Sequence, residues 1–182
     1  MKKTILLLIF SLGSFSMMNA QNSESDLNVG LIVQKTQHLY WENGFGADYT
    51  SDALLNRHLH LKAGYVTSRL GSCMMSNAVK QDNLVLGVDF RFRPKKPLQI
   101  FAGLNTGFFY ANYEEPMFDV LPNTSLLLSA ETGLIYKFRY PFFSVGLSAG
   151  YNIINGDGIS KPGTLFPLYY KMSLFYKLGT KK

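Results

Sequence analysis

The chain has 182 residues, 47% hydrophobic and 16% charged, with a net charge of +6. That is one domain's worth of chain. Its cations, among them Lys35, Lys80, Arg139 and Lys161, are scattered and form no stripe to track a phosphate backbone, so nucleic acid is excluded as a partner class. The only cysteine, Cys73, has no intrachain disulfide partner and lies far from the leader, where a lipoprotein would carry its lipidated cysteine.

The N-terminus has the layout of a secretory signal peptide. Lys2 and Lys3 form a charged start, residues 4–15 an apolar core, and residues 16–20 a small or polar tail ending at Ala20. The apolar core is too short for a comfortable membrane span. Cleavage is expected after Ala20, giving a leader over 1–20 and one domain over 21–182. No later apolar run reaches helix-spanning length, and the remaining sequence is rich in Tyr, Phe, Leu and Gly.

Eight strands are predicted in chain order: 27–37, 40–49, 57–69, 83–93, 98–110, 124–138, 142–154 and 168–178. The clearest is the run from Leu84 to Phe92. One parity is large and apolar (Leu84, Leu86, Val88, Phe90, Phe92); the other carries Gly87, Asp89 and Arg91. Such alternation gives a strand one apolar face and one polar or small face. The same pattern assigns Leu31, Phe45, Leu61, Leu104, Phe108, Leu147 and Leu174 to the apolar face. Glu42, Asp48, His58, His60, Lys62, Glu131, Lys137, Lys171 and Lys177 fall on the other, together with most strand glycines. A soluble sandwich would bury the apolar face and solvate the charges. Three features favour the inverse, an eight-stranded antiparallel membrane barrel with a side-chain-filled interior. Glycine is as abundant as charge on the polar face. Tyr and Phe cluster near strand ends, as in the aromatic girdles of such barrels. Short connections at 94–97 and 139–141 alternate with longer ones near 70–82, 111–123 and 155–167, the known asymmetry of periplasmic turns and outer loops. Residues 38–56 fit least well, with a very short outer turn followed by a long periplasmic one.

On these features the chain resembles the small outer-membrane β-barrels of the OmpA/OmpX type, in particular the compact outer-membrane barrel-domain proteins of Bacteroidetes-like bacteria. The resemblance spans the mature chain and rests on leader, strand count, alternation and loop asymmetry. It implies an all-β, up-and-down transmembrane barrel in the outer membrane of a Gram-negative bacterium, in contact with outer-membrane lipid, with a structural or adhesive role and no enzymatic one. Such barrels often end on an aromatic residue used in assembly; here Gly179, Thr180, Lys181 and Lys182 follow Leu178.

The site expected from the residues is a lumenal polar network of Lys62, Asp89, Arg91, Glu131 and Lys171. Counting register from the turn at 139–141 puts Glu131 beside Gly150. Counting from the loop at 155–167 puts Gly150 beside Lys171, so a glycine would let two opposite charges meet. Asp89 is grouped with Arg91 and Lys62. A gated pore and a closed plug both use such charges; unpaired charges in a narrow interior are costly, which favours the plug. His58 and His60 share a parity and could approach a metal, but no third ligand accompanies them, so no metal and no cofactor is expected. A lipid-modifying enzyme would need a triad such as His38 with Ser68, Ser72 or Ser76 and Glu42 or Asp82, which nothing in the sequence brings together. The turn-rich segment 155–163 has too few acids for a calcium loop. Partner contacts, extracellular or within the envelope, would fall in the long loops. Two alternatives stay open: a secreted lipocalin-like binder of a small apolar ligand, which predicts an apolar interior, and a subunit of a secretion or conjugation apparatus.

Overall fold

The computed structural model describes residues 24–36, 41–68, 79–113, 123–139, 142–153 and 168–181. The leader and most of the three long connections, with Cys73, His38, Ser72, Ser76 and the turn-rich segment 155–163, lie outside the described residues; 79–82 and 111–113, expected in those connections, are strand residues.

Eight strands follow one another: β1 (Ser25–Thr36), β2 (Trp41–Ser51), β3 (Leu59–Thr67), β4 (Val79–Phe92), β5 (Leu98–Tyr113), β6 (Thr124–Lys137), β7 (Phe143–Ile153) and β8 (Leu168–Lys181). Each pairs antiparallel with its chain neighbour, and β8 returns to β1, closing the sheet. Closure removes both sheet edges, so no row of backbone donors and acceptors is left open. At the seam the register shifts between Asp26 and Asn28, where β8 carries one residue more than β1. Gly179 to Lys181, expected as a tail, extend β8, with Thr180 opposite Asp26 and Lys181 opposite Ser25.

Within the eight strands the expected facing holds; His58, expected inside, lies in the turn before β3 and stacks on the outward Phe90 ring. Leu31 is 65% exposed and Phe108 62%, whereas Asp89 is 1% and Glu131 4% exposed. Apolar side chains therefore form a continuous outer belt, with Leu31, Phe45, Leu61, Leu86, Leu104, Leu134, Leu147 and Leu174 each supplied by a different strand. The interior is not purely polar: Ile32, Phe101, Phe109, Leu127 and Ile135 are also buried there. Phe101 and Phe109 share the parity of Gly103 and Gly107, the one expected to face the lumen, although β5 carries phenylalanine on both faces.

The irregular stretch resolves into a turn. After Ser51 the chain folds over residues 52–58, and Leu55, Asn56 and Arg57 take left-handed backbone angles in succession. Such angles are costly for residues other than glycine and persist where surrounding contacts hold them. Here Asn56 N donates to Asp52 O at 3.1 Å and Leu59 N to Leu54 O at 3.2 Å. The Arg57 guanidinium pairs with Asp26, and Asp26 also meets Lys177 Nζ at 3.0 Å. Those contacts fasten the β2–β3 turn to both strands of the seam.

Candidate functional site

The interior charges form three layers along the barrel axis. In the middle layer Glu131 is the hub. Lys171 Nζ donates to its Oε2 at 2.5 Å, and Lys62 Nζ lies 3.5 Å from the same oxygen. Asn105 Nδ2 and Tyr169 OH donate to it at 3.2 and 3.4 Å. Lys62 also meets Asp89 Oδ1 at 2.7 Å and sits over the Phe101 ring, 5.3 Å from its centroid. Lys62, Asp89, Glu131 and Lys171 thus form one network across β3, β4, β6 and β8.

Arg91 departs from the expected grouping. Its guanidinium pairs with Asp48 of β2, not with Asp89. Spacing along β4 does not forbid an Arg91–Asp89 pair, since Gln81 reaches Asn83 two residues along the same strand; the Asp89 carboxylate is instead taken by Lys62 of β3. Asp48 Oδ1 also lies 2.9 Å from His60 Nδ1 and accepts from Asn28 Nδ2 at 3.1 Å. His58 and His60 do not share a side. His60 is fully buried in the lumen, whereas His58 belongs to the turn and stacks on the outward Phe90 ring with centroids 5.3 Å apart.

The third layer, toward the long connections, was not foreseen as a cluster. Glu42, 1% exposed, accepts among the described residues from neutral groups only: Gln34 Nε2 at 2.6 Å, Asn83 Nδ2 at 2.6 Å and Thr36 Oγ1 at 3.3 Å. Gln81 Nε2 in turn donates to Asn83 Oδ1 at 2.8 Å. Its parity placed Glu42 inside; nothing in the sequence pointed to its neutral partners on β1 and β4.

Register explains which pairs form. Glu131 stands opposite Gly150, as counted, but Lys171 stands opposite Ser148, and Gly150 opposite Tyr169. The space over Gly150 is filled by the Tyr169 ring, which a Cβ there would strike. Gly103, on the other side of Glu131, leaves room in the same way for the Asp89 carboxylate. Between the layers lies a cavity of about 90 Å³, bordered by Lys62, Asp89, Asn105, Glu131 and Lys171 on one side and by Ile32 and Leu127 on another. It is far below the several hundred Å³ of an ordinary ligand site. Glu131 Oε1 and Arg91 Nε are buried without a hydrogen-bond partner among the described residues; buried water commonly satisfies such atoms. No cluster of three or more His, Cys, Asp or Glu suited to a metal occurs among the described residues.

The fold has close counterparts among solved structures. The N-terminal β-barrel domain of Pseudomonas aeruginosa OprF aligns with a TM-score of 0.60 at 13% identity, over 87% of this chain and 98% of that one. The chain has the eight-stranded transmembrane β-barrel fold. A de novo designed transmembrane β-barrel aligns at 0.53 with 16% identity, over 84% of this chain and 95% of the design. Neisserial surface protein A aligns at 0.51 with 14% identity, over 85% and 95%. No family model and no curated protein matches the sequence. At these identities the likeness is one of fold, shared with the small outer-membrane barrels.

Proposed function

We propose that this barrel resides in the outer membrane after export on its leader, with a closed, side-chain-filled lumen, and that it serves a structural, adhesive or partner-binding role through its long connections. The observation that carries this reading is the apolar belt. Large hydrophobic side chains face outward on all eight strands, while Glu42, Asp48, Asp89 and Glu131 are buried. Soluble monomers rarely expose contiguous apolar patches of more than a few hundred Å²; hydrocarbon is the solvent that covers such a belt without penalty. The cross-lumen ion pairs and the small cavity support a closed plug over a pore. The cavity those pairs border among the described residues is too small for an ordinary apolar ligand, which weighs against the lipocalin-like alternative. Membership of an envelope apparatus predicts a stoichiometric partner in a detergent pull-down.

Cell fractionation and gel mobility with and without boiling test the proposal. An outer-membrane location with a heat-dependent shift supports it; a mature protein soluble without detergent sinks it. In planar bilayers the intact protein is expected to give no stable stepwise conductance, and regular channel steps would overturn the plug.

A further inference from the structure

The turn-bearing end of the barrel divides into two unlike sectors. In one, Arg57, Asp26 and Lys177 neutralise each other, with Glu24 and Asp52 at 3.9 and 3.4 Å from Arg57. In the other, the β4–β5 turn and the start of the β6–β7 turn present Arg93, Lys95, Lys96 and Arg139, all exposed. Neither turn contains an acid. None of these four cations has a salt-bridge partner among the described residues.

The two turns adjoin. Lys137 N donates to Pro97 O at 2.8 Å, and Leu98 pairs with Tyr136. The β4–β5 turn is held from within. Gln99, fully buried, donates its Nε2 to Pro94 O and, at 3.1 Å, to Lys96 O, and Lys96 N closes onto Arg93 O at 3.0 Å. Two prolines stiffen the same five residues. The cations are therefore presented by a fixed frame. They also lie at the edge of the apolar belt: Phe92 precedes Arg93, Leu98 follows Pro97, Phe138 precedes Arg139, and all three apolar neighbours are exposed.

We propose that this sector is a binding surface for the headgroups of anionic phospholipids in the adjoining leaflet. Charge complementarity and continuity with the belt argue for it. Hydrocarbon covering Phe92, Leu98 and Phe138 brings phosphate diesters to the level of the next residues along the chain, where four cations have no counter-charge among the described residues. Cations near an anionic membrane surface each add to its hold. The proposal rests on the membrane-spanning reading above.

Native mass spectrometry of the folded barrel in detergent, titrated with phosphatidylglycerol or phosphatidylcholine, tests it. The unmodified chain is expected to bind its first phosphatidylglycerol on the order of tenfold tighter than phosphatidylcholine at low salt. The combined R93Q/K95Q/K96Q/R139Q variant should lose that preference, and K35Q, at the opposite rim, should keep it. Equal affinity for the two lipids in the unmodified chain overturns the proposal. So does a preference that survives the fourfold change, or one lost in K35Q. Salt-sensitive capture of soluble polyglutamate without a phosphatidylglycerol preference overturns it in favour of an acidic protein partner. A heat-dependent gel shift for each variant establishes that it folds. A chain soluble without detergent would instead defeat the membrane reading, before any lipid is added.

Discussion

Glu131 and Glu42 are both buried carboxylates in the same lumen, and their surroundings differ in kind. Glu131 is met by two ammonium groups carried on strands from different parts of the barrel wall, with Asn105 and Tyr169 also donating to it. Glu42 is met by two amides and a hydroxyl, with no cation among its partners in the described residues. A charge pair taken out of water stabilises only when both members remain; losing one leaves the other buried and uncompensated. A nest of neutral donors is more forgiving, because amides can reorient around an isostere. The middle layer therefore acts as a cross-brace and the outer layer as a polar filling.

Removing the hub should have the largest effect. Glu131→Ala strands Lys171 and leaves Lys62 with Asp89 alone; it is expected to cost about 3–5 kcal/mol, read as a lowered urea midpoint for the loss of the heat-dependent gel shift. A midpoint unchanged within error would deny the layer its bracing role. Next comes the contrast between inside and outside. Leu104→Arg puts a cation on the outward belt of β5, where lipid offers no partner, and should cost roughly 2–4 kcal/mol if that position lies near the bilayer midplane. In vesicle refolding it should reduce the folded yield, whereas a protein with water outside would tolerate the change. Gly103→Val drives a side chain into the place of the Asp89 carboxylate; overpacking of this kind costs about 1–3 kcal/mol, and the same midpoint assay reads it. Glu42→Gln should be the mildest, under about 1 kcal/mol, since its neighbours are neutral and each net hydrogen bond is worth on the order of 1 kcal/mol. If Glu42→Gln instead matched Glu131→Ala, the distinction between brace and filling would collapse.

The two sectors at the turn-bearing rim repeat the lesson on the surface. Arg57 is spent within the protein, since Asp26 and its neighbours compensate it and hold three consecutive left-handed residues in place. The β4–β5 turn needs no ion pair because Gln99 fastens it through backbone carbonyls, which leaves its cations available.

Much of this was legible from local pattern. Strand alternation has period two, so a run such as Leu84 to Phe92 fixes which residues share a face whatever the rest of the chain does. Short turns then fix register between chain neighbours, and counting back from 139–141 placed Glu131 opposite Gly150 as observed. The same counting failed by two residues across the long connection at 154–167, where Lys171 faces Ser148. Loop length does not specify register there. The choice among interior partners was beyond the sequence. Arg91 took Asp48, two strands away, over Asp89 on its own strand, and Lys62 of β3 reached Glu131 of β6. The distances between non-adjacent strands depend on how the closed sheet tilts and staggers. The sequence by itself determined which side chains face the lumen. Only the closed barrel, by setting those distances, decided which of them meet.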